Sequence, residues 1–188
     1  FCSACDYNYS NIEEIYKYNH SMGQAVNRKL MRDFRTYMAV GGMPQAVEAF
    51  INEKNFEAVD RIKKEILKLY SDDFFRLDPS GRLSALYNSI PSQLANNNKF
   101  YITKVTNKKA TKKDKEFIFD LLNSKTVIPC YKVNDPSISL NGTKDIENFK
   151  LYLSDIGLFT TMLFNDKLST NENIYNKLLS DKLDVNLG

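Results

Sequence analysis

Thr111-Lys112-Lys113-Asp114-Lys115-Glu116-Phe117-Ile118-Phe119-Asp120-Leu121-Leu122-Asn123-Ser124 runs directly into Lys125-Thr126-Val127-Ile128-Pro129-Cys130-Tyr131-Lys132-Val133, and the fold turns on this passage. In its first part Phe117, Ile118, Leu121 and Leu122 recur at helical steps behind a cap-prone threonine, which predicts a basic helix from Thr111 to about Ser124. In its second part β-branched and aromatic residues crowd together, which predicts a strand over 126–133 that Pro129 confines to an edge or a bulge. Phe149-Lys150-Leu151-Tyr152-Leu153 alternates as its partner, across a polar loop containing Asp135-Pro136 and Asn141-Gly142.

Working outward, Phe100-Tyr101-Ile102 is a short strand candidate. Before it, Leu83, Leu86, Tyr87 and Ile90 form a helix that Pro91 kinks or restarts, with Leu94 continuing the apolar face. The order helix, short strand, basic helix, strand, loop, strand is that of a winged helix. Asp155 opens a further helix through Leu158, Phe159, Met162 and Leu163, and a weaker helical pattern covers 174–183.

Asp78-Pro79-Ser80-Gly81 is the clearest turn cluster, and a subdomain boundary is expected there. Everything upstream reads as helix. Ser10 and Glu13 form a capping box for a short helix to Tyr18. Val26, Leu30, Phe34, Tyr37 and Met38 stripe a longer one that stops at Gly41-Gly42, with Arg28, Lys29, Arg32, Asp33 and Arg35 between them. Pro44 suits the first position of the next helix, whose inner face is Val47, Phe50 and Ile51. Asn55 caps a helix to about Phe75 with the stripe Phe56, Val59, Ile62, Ile66, Leu69, Tyr70, leaving Asp60, Arg61, Lys63, Lys64 and Glu65 facing water. The expected fold is mainly α: a helical bundle over 1–78, a winged-helix-like subdomain over 79–164 with a small antiparallel β wing, and a helical tail over 165–188.

Composition narrows function by exclusion. The 188 residues are 43% hydrophobic and 26% charged with a mean hydropathy of -0.43, as in an ordinary soluble protein. No apolar run is long enough to span a membrane, and the start lacks the basic and apolar regions of a signal peptide, so a cytoplasmic address is expected. A first residue other than Met, inside an apolar segment, points to a piece of a longer parent. Cys2, Cys5 and Cys130 cannot all pair, and neither Cys130 nor His20 completes a zinc site with Cys2-x-x-Cys5, so no metal site is expected. No phosphate-cradling glycine motif occurs, so the chain alone is not expected to bind nucleotide well. His20 has no nucleophile near it in sequence, and Asp72-Asp73 point about 100° apart on a helix, which suits capping or solvent exposure better than catalysis. No catalytic residue is assigned.

Charge is unevenly distributed. Lys99, Lys104, Lys108, Lys109, Lys112, Lys113 and Lys115, opposed by Asp114, give a stretch of +6 in a chain of net +3. Two readings stay open: a phosphate-neutralising surface centred on Lys108, Lys109, Lys112 and Lys113, or a solvated face. No Arg, Asn or Gln lies within 108–115 to read bases. Gly41-Gly42-Met43-Pro44 is a helix stop followed by a proline start, which also lets backbone and a proline ring approach a flat ligand.

The passage Leu30-Met31-Arg32-Asp33-Phe34-Arg35-Thr36-Tyr37-Met38-Ala39-Val40-Gly41-Gly42-Met43-Pro44-Gln45-Ala46-Val47, preceded by His20, resembles the segment after the nucleotide-binding core in a family of uncharacterised prokaryotic AAA-type ATP-binding proteins. Tyr70-Ser71-Asp72-Asp73-Phe74, Ser89-Ile90-Pro91-Ser92-Gln93-Leu94-Ala95 and Phe149-Lys150-Leu151-Tyr152-Leu153-Ser154-Asp155-Ile156-Gly157-Leu158 resemble later landmarks of that family, in the expected order. The resemblance spans roughly Phe1 to Leu163. It implies a parent with a P-loop ATPase core that binds ATP and Mg, a helical lid at 1–78, a winged-helix-like segment, and a domain similar to PD-(D/E)xK nucleases. This chain would begin at the core's last apolar segment, Phe1-Cys2-Ser3-Ala4-Cys5, and end before the nuclease-like domain. By position Gly41, Gly42, Met43 and Pro44 match the lid residues that contact adenine in related signal-transduction ATPases. The usual helix-turn-helix consensus is replaced by residues 106–115. The resemblance therefore implies a non-catalytic regulatory portion whose partner is its own ATPase core, with a DNA-binding module or a protein-interaction scaffold as the alternatives.

Overall fold

The computed structural model describes residues 1–5, 12–96, 99–106, 110–135, 137, 139–164, 175 and 179. In chain order the elements are α1 (Ile12–Lys17), α2 (Gln24–Val40), α3 (Pro44–Glu53), α4 (Phe56–Leu77), α5 (Arg82–Asn88), α6 (Ile90–Ala95), α7 (Ile102–Thr106), α8 (Lys112–Asn123), β1 (Val127–Val133), β2 (Lys144–Leu153) and α9 (Ile156–Phe164). Among the described residues the architecture is mainly helical with one two-stranded antiparallel sheet, as the sequence predicts. The Ser10 capping box and most of the tail lie outside the described residues.

Two compact units divide the chain, one holding Phe1–Glu65 with Ile156–Leu183 and the other Ile66–Asp155. The first division falls inside α4 rather than at the Asp78–Gly81 turn, and α9 belongs with the N-terminal helices.

In the first unit Val40, Ala46, Val47 and Val59 form a core, edged by Phe1, Met43, Phe50, Phe56 and Ile62. The stripe expected on α2 is displaced: Val26 and Phe34 are exposed, and the helix buries Asp33, Thr36, Ala39 and Val40. Close packing against α9 accounts for this, because Thr36 and Ala39 are small and the Thr160 hydroxyl donates to the Met38 carbonyl at 3.3 Å. Thr36 turns its own hydroxyl back to the Arg32 carbonyl at 3.0 Å, so its burial leaves no unmet donor. Asn55 does cap α4, accepting from the Glu57 amide at 2.8 Å.

The second unit is ordered by two carboxylates. Asp78 is buried and accepts from the Ser80 hydroxyl at 2.6 Å, the Ser80 amide at 3.2 Å and the Leu83 amide at 2.9 Å, which closes the turn and opens α5. Burial alone would raise its pKa, but these bonds, with the Arg82 amide, outweigh it and hold the carboxyl below its ordinary value. Its contribution is therefore full above the unfolded pKa of about 3.9 and fades as pH falls through the lower folded value. Asp78→Ala should cost about 1–2 kcal/mol in urea denaturation at neutral pH. The gap between wild type and variant should narrow in acid.

Thr111 caps α8 as the sequence predicts, and the fully buried Asp114 extends that cap to a capping box: it accepts from the Thr111 amide at 2.6 Å and returns its own amide to the Thr111 hydroxyl at 3.3 Å. Arg82 from α5 donates to the same carboxylate through Nη2 at 2.8 Å, and its Nε forms an ion pair with the other oxygen.

Leu83, Leu86, Tyr87, Ile90 and Leu94 are buried, and Pro91 sits in the first turn of a restarted α6. The strand expected at 100–102 does not form, and α7 begins at Ile102. The cause is Gln93, whose side chain accepts from the Tyr101 amide at 2.7 Å and donates to the Tyr101 carbonyl at 3.4 Å. With both backbone groups of Tyr101 taken by one side chain, the strand reduces to a single bond from the Phe100 amide to the Phe149 carbonyl at 2.8 Å. β1 pairs with β2 from Val127↔Leu153 to Tyr131↔Phe149, then skips so that Lys132 faces Asp145. Val127, Leu151 and Leu153 point into the core, and Ile128, Cys130 and Lys132 lie on the outer face.

Candidate functional site

The Gly41–Pro44 joint is built as its residues dictate. Gly41 ends α2 at φ 85°, a conformation that favours glycine, and donates its amide to the Tyr37 carbonyl at 2.7 Å. Met43 is extended at φ -65° and ψ 125° and precedes Pro44 in the first turn of α3. Gly41 is buried and Met43 half-buried against the core, whereas Gly42 and Pro44 are exposed.

Gly157, near the start of α9, closes on this joint from behind. A Cβ there would lie 2.5 Å from the Val40 carbonyl oxygen, 2.7 Å from Gly41 Cα and 2.8 Å from Gly41 N. Two segments widely separated in sequence thus meet backbone to backbone.

Beside them lies a polar cluster that contradicts the expected solvent face of α4. Lys63 is 1% exposed, and its ammonium donates to the Ala39 carbonyl at 2.8 Å, the Tyr175 hydroxyl at 3.1 Å and the Gly157 carbonyl at 3.4 Å. Tyr175 in turn donates to Asp60 at 3.2 Å, and burial together with the Asp60 charge pushes its hydroxyl pKa up. Asp60, also buried, accepts from Thr161 at 3.4 Å and pairs with Lys64 at 2.7 Å. Arg61, Lys64 and Glu65 do face water. The one available sequence signal was that Lys63 follows Val59 by one helical turn, which places it on the inner stripe.

Of the four lysines predicted to contact nucleic acid, Lys108 and Lys109 lie outside the described residues. Lys112 and Lys113 are exposed in the first turn of α8, where Lys113 lies 5.3 Å from the Phe117 ring. Lys115 is held by Glu147 at 2.9 Å. The remaining outer face of α8 carries Glu116, Asp120 and a Phe119 that is 63% exposed, so it joins acidic and apolar groups to the basic first turn. His20 is exposed beside Tyr18, and Asp73 pairs with Arg76 at 3.1 Å on the surface of α4.

As for the groups that the resemblance implies, the exposed Gly42 and Pro44 with half-buried Met43 fit one wall of an adenine site, and the chain has no phosphate-cradling motif to complete it. Among the described residues no cluster of three or more His, Cys, Asp or Glu is placed to hold a metal ion, and Cys2, Cys5 and Cys130 are not joined in disulfides. No helix among them is long and apolar enough to cross a membrane.

Neither the curated proteins nor the solved structures contain a match to this chain. One family does match, over residues 31–169, a segment that includes the Gly41–Pro44 joint, Lys63, the sheet and α9. The chain belongs to that family, described as Domain of unknown function (DUF8612).

Proposed function

We propose that this chain is a non-catalytic regulatory portion of an AAA-type ATPase, in which the helical unit supplies a lid to a nucleotide-binding core and the winged-helix-like unit relays the nucleotide state to a partner. The observation that carries this reading is the joint. Gly42 and Pro44 are exposed, offering a position without a side chain and a proline ring outward, while Gly41, Gly157 and the Lys63 bonds hold the other side. A surface that touches a flat base needs that combination of access and fixed geometry.

The α2 surface supports the same reading. Val26, Met31 and Phe34 remain exposed on it, and an apolar stripe of this kind suits cover by another folded body, which the proposal takes to be the ATPase core. ATP and Mg would be held by that core, and this chain would contribute position alone.

The test is ATP binding by the full-length protein that contains this chain, alongside its Pro44→Ala variant. Pro44 is exposed at the start of α3, so the substitution should leave folding nearly intact and weaken ATP binding about tenfold, or about 1.4 kcal/mol. Unchanged affinity would remove the adenine contact. Absence of ATP binding by the full-length protein would remove the ATPase reading altogether.

A further inference from the structure

Helix α2 turns its larger apolar side chains away from its own unit. At 3.6 residues per turn, Val26, Leu30, Met31, Phe34, Tyr37 and Met38 share one arc of about 140°. None of the six is buried: Val26, Met31 and Phe34 are exposed, and the other three are half-buried. The face turned inward carries Asp33, Thr36, Ala39 and Val40 instead.

Bonds towards the C-terminal end of the helix fix this orientation. Lys63 donates to the Ala39 carbonyl at 2.8 Å, Thr160 donates to the Met38 carbonyl at 3.3 Å, and Gly157 leaves no room for a Cβ against Val40 and Gly41. Turning α2 to bury Phe34 would push the α9 backbone away and break both bonds. The outward apolar arc is therefore part of the fold, and a face of this kind is one that another body covers.

We infer that the domain adjoining this chain in its parent protein, the ATPase core on the lid reading, covers α2 with an apolar patch bordered by a carboxylate that pairs with Arg28. This rests on the lid reading and adds the chemistry of the surface that the lid meets. Arg28 lies one turn from Met31 on the rim of the arc, exposed, and among the described residues no acid pairs with it. Arg32 is already paired with Asp33 at 3.6 Å, and Arg35 is half-buried and engaged. Arg28 is therefore the cation that the rim offers to a partner.

Area argues for a body in the same polypeptide. Six side chains on one helix, half of them already half-buried, fall well short of the roughly 800 Å² per partner typical of a stable complex between free chains. A tethered domain needs less, because the connection holds it at an effective concentration of about millimolar order. A second copy of α2 lacks the required acid. Two-fold antiparallel pairing sets the Arg28 edge against itself, and Asp33, the one acid in the helix, is buried. A bilayer is disfavoured by Asn27, whose amide side chain lies within the arc and would enter the acyl region without a partner. A protein surface can bond it.

The test uses the full-length protein that contains this chain. Peroxide oxidation of Met31 to its sulfoxide, followed by mass spectrometry, should run more than about fivefold slower in the native protein than in the same protein in urea. With 39% of its surface open, an uncovered Met31 should be slowed by about threefold at most. Arg28→Lys keeps the charge and adds a reactive amine, which a carbodiimide should join to an Asp or Glu of the core. Slowing of Met31 below about fivefold overturns the inference. So does a protected Met31 without the crosslink, a crosslink between two copies in a mixture of light and heavy-isotope protein, or protection that requires vesicles of anionic phospholipid. ATP binding by the same preparation separates this inference from the lid reading. ATP bound while Met31 stays open removes the docking alone, whereas the crosslink without ATP binding removes the ATPase reading and leaves the acid-bordered docking in place.

Discussion

Gly157→Ala should lower the stability of the protein by about 2 kcal/mol, although the same change in an open helix would raise it by up to about 1 kcal/mol. The sign is reversed by what the added methyl meets. All three of its nearest neighbours are backbone atoms of Val40 and Gly41, between 2.5 and 2.8 Å away, so no side chain can rotate aside. Overpacking of this sort costs about 1–3 kcal/mol, and the backbone shift it forces would also lengthen the Lys63 bond to the Gly157 carbonyl. Thermal denaturation followed by circular dichroism should show Tm lowered by roughly 4–8 °C. Gly142→Ala is the control, since its nearest neighbour is an ordinary 3.5 Å away, and it should change stability by no more than about 0.5 kcal/mol.

Lys63→Met is expected to cost more, about 3 kcal/mol. Methionine keeps the volume and apolar stem of the side chain but abandons three acceptors in a dry interior: the Ala39 carbonyl, the Gly157 carbonyl and the Tyr175 hydroxyl. Gly157 retains the Thr160 hydroxyl at 2.9 Å, so Ala39 bears most of the loss. A buried acceptor left without a donor costs about 1–3 kcal/mol, and loss of a buried cation beside Asp60 raises the figure. Lys64→Met is the contrast. That side chain is 48% exposed, and its 2.7 Å pair with Asp60 is screened by water, so removal should cost less than about 1 kcal/mol. Urea denaturation of the two variants decides the matter. Equal losses would mean that desolvating the Lys63 ammonium offsets what its hydrogen bonds contribute.

Local rules made much of this architecture legible. Thr111, Asn55, Pro44, Pro91 and Gly41 are each recognisable from near neighbours, and each forms the cap or stop its chemistry implies. The errors share a different origin. Tyr101 leaves the strand because Gln93, eight residues away, bonds its backbone. Thr36 and Ala39 turn inward because α9, far along the chain, packs against α2. Lys63 is buried where the Ala39 and Gly157 carbonyls and the Tyr175 hydroxyl can all accept from it, a set of partners that exists only after the helices have met. The site was legible to the same degree. Glycines and a proline mark the joint, but nothing local to Gly157 shows that it closes the other side, and nothing in the alternation of β1 shows that the ladder skips beside Lys132.

Phe1 and Tyr175 stand on either side of the family's span of 31–169, yet both complete the interior of the first unit. Phe1 lies against Tyr37 and Phe50, with ring centres 5.4 and 6.3 Å apart, and Tyr175 stacks on Phe56 at 4.6 Å while joining Lys63 to Asp60. The stretch that evolution repeats and the stretch that physics closes therefore differ in extent. A fragment trimmed to the family's borders would lose an aromatic plug from one flank and a proton donor from the other, exposing a lysine and a carboxylate that were never shaped for water.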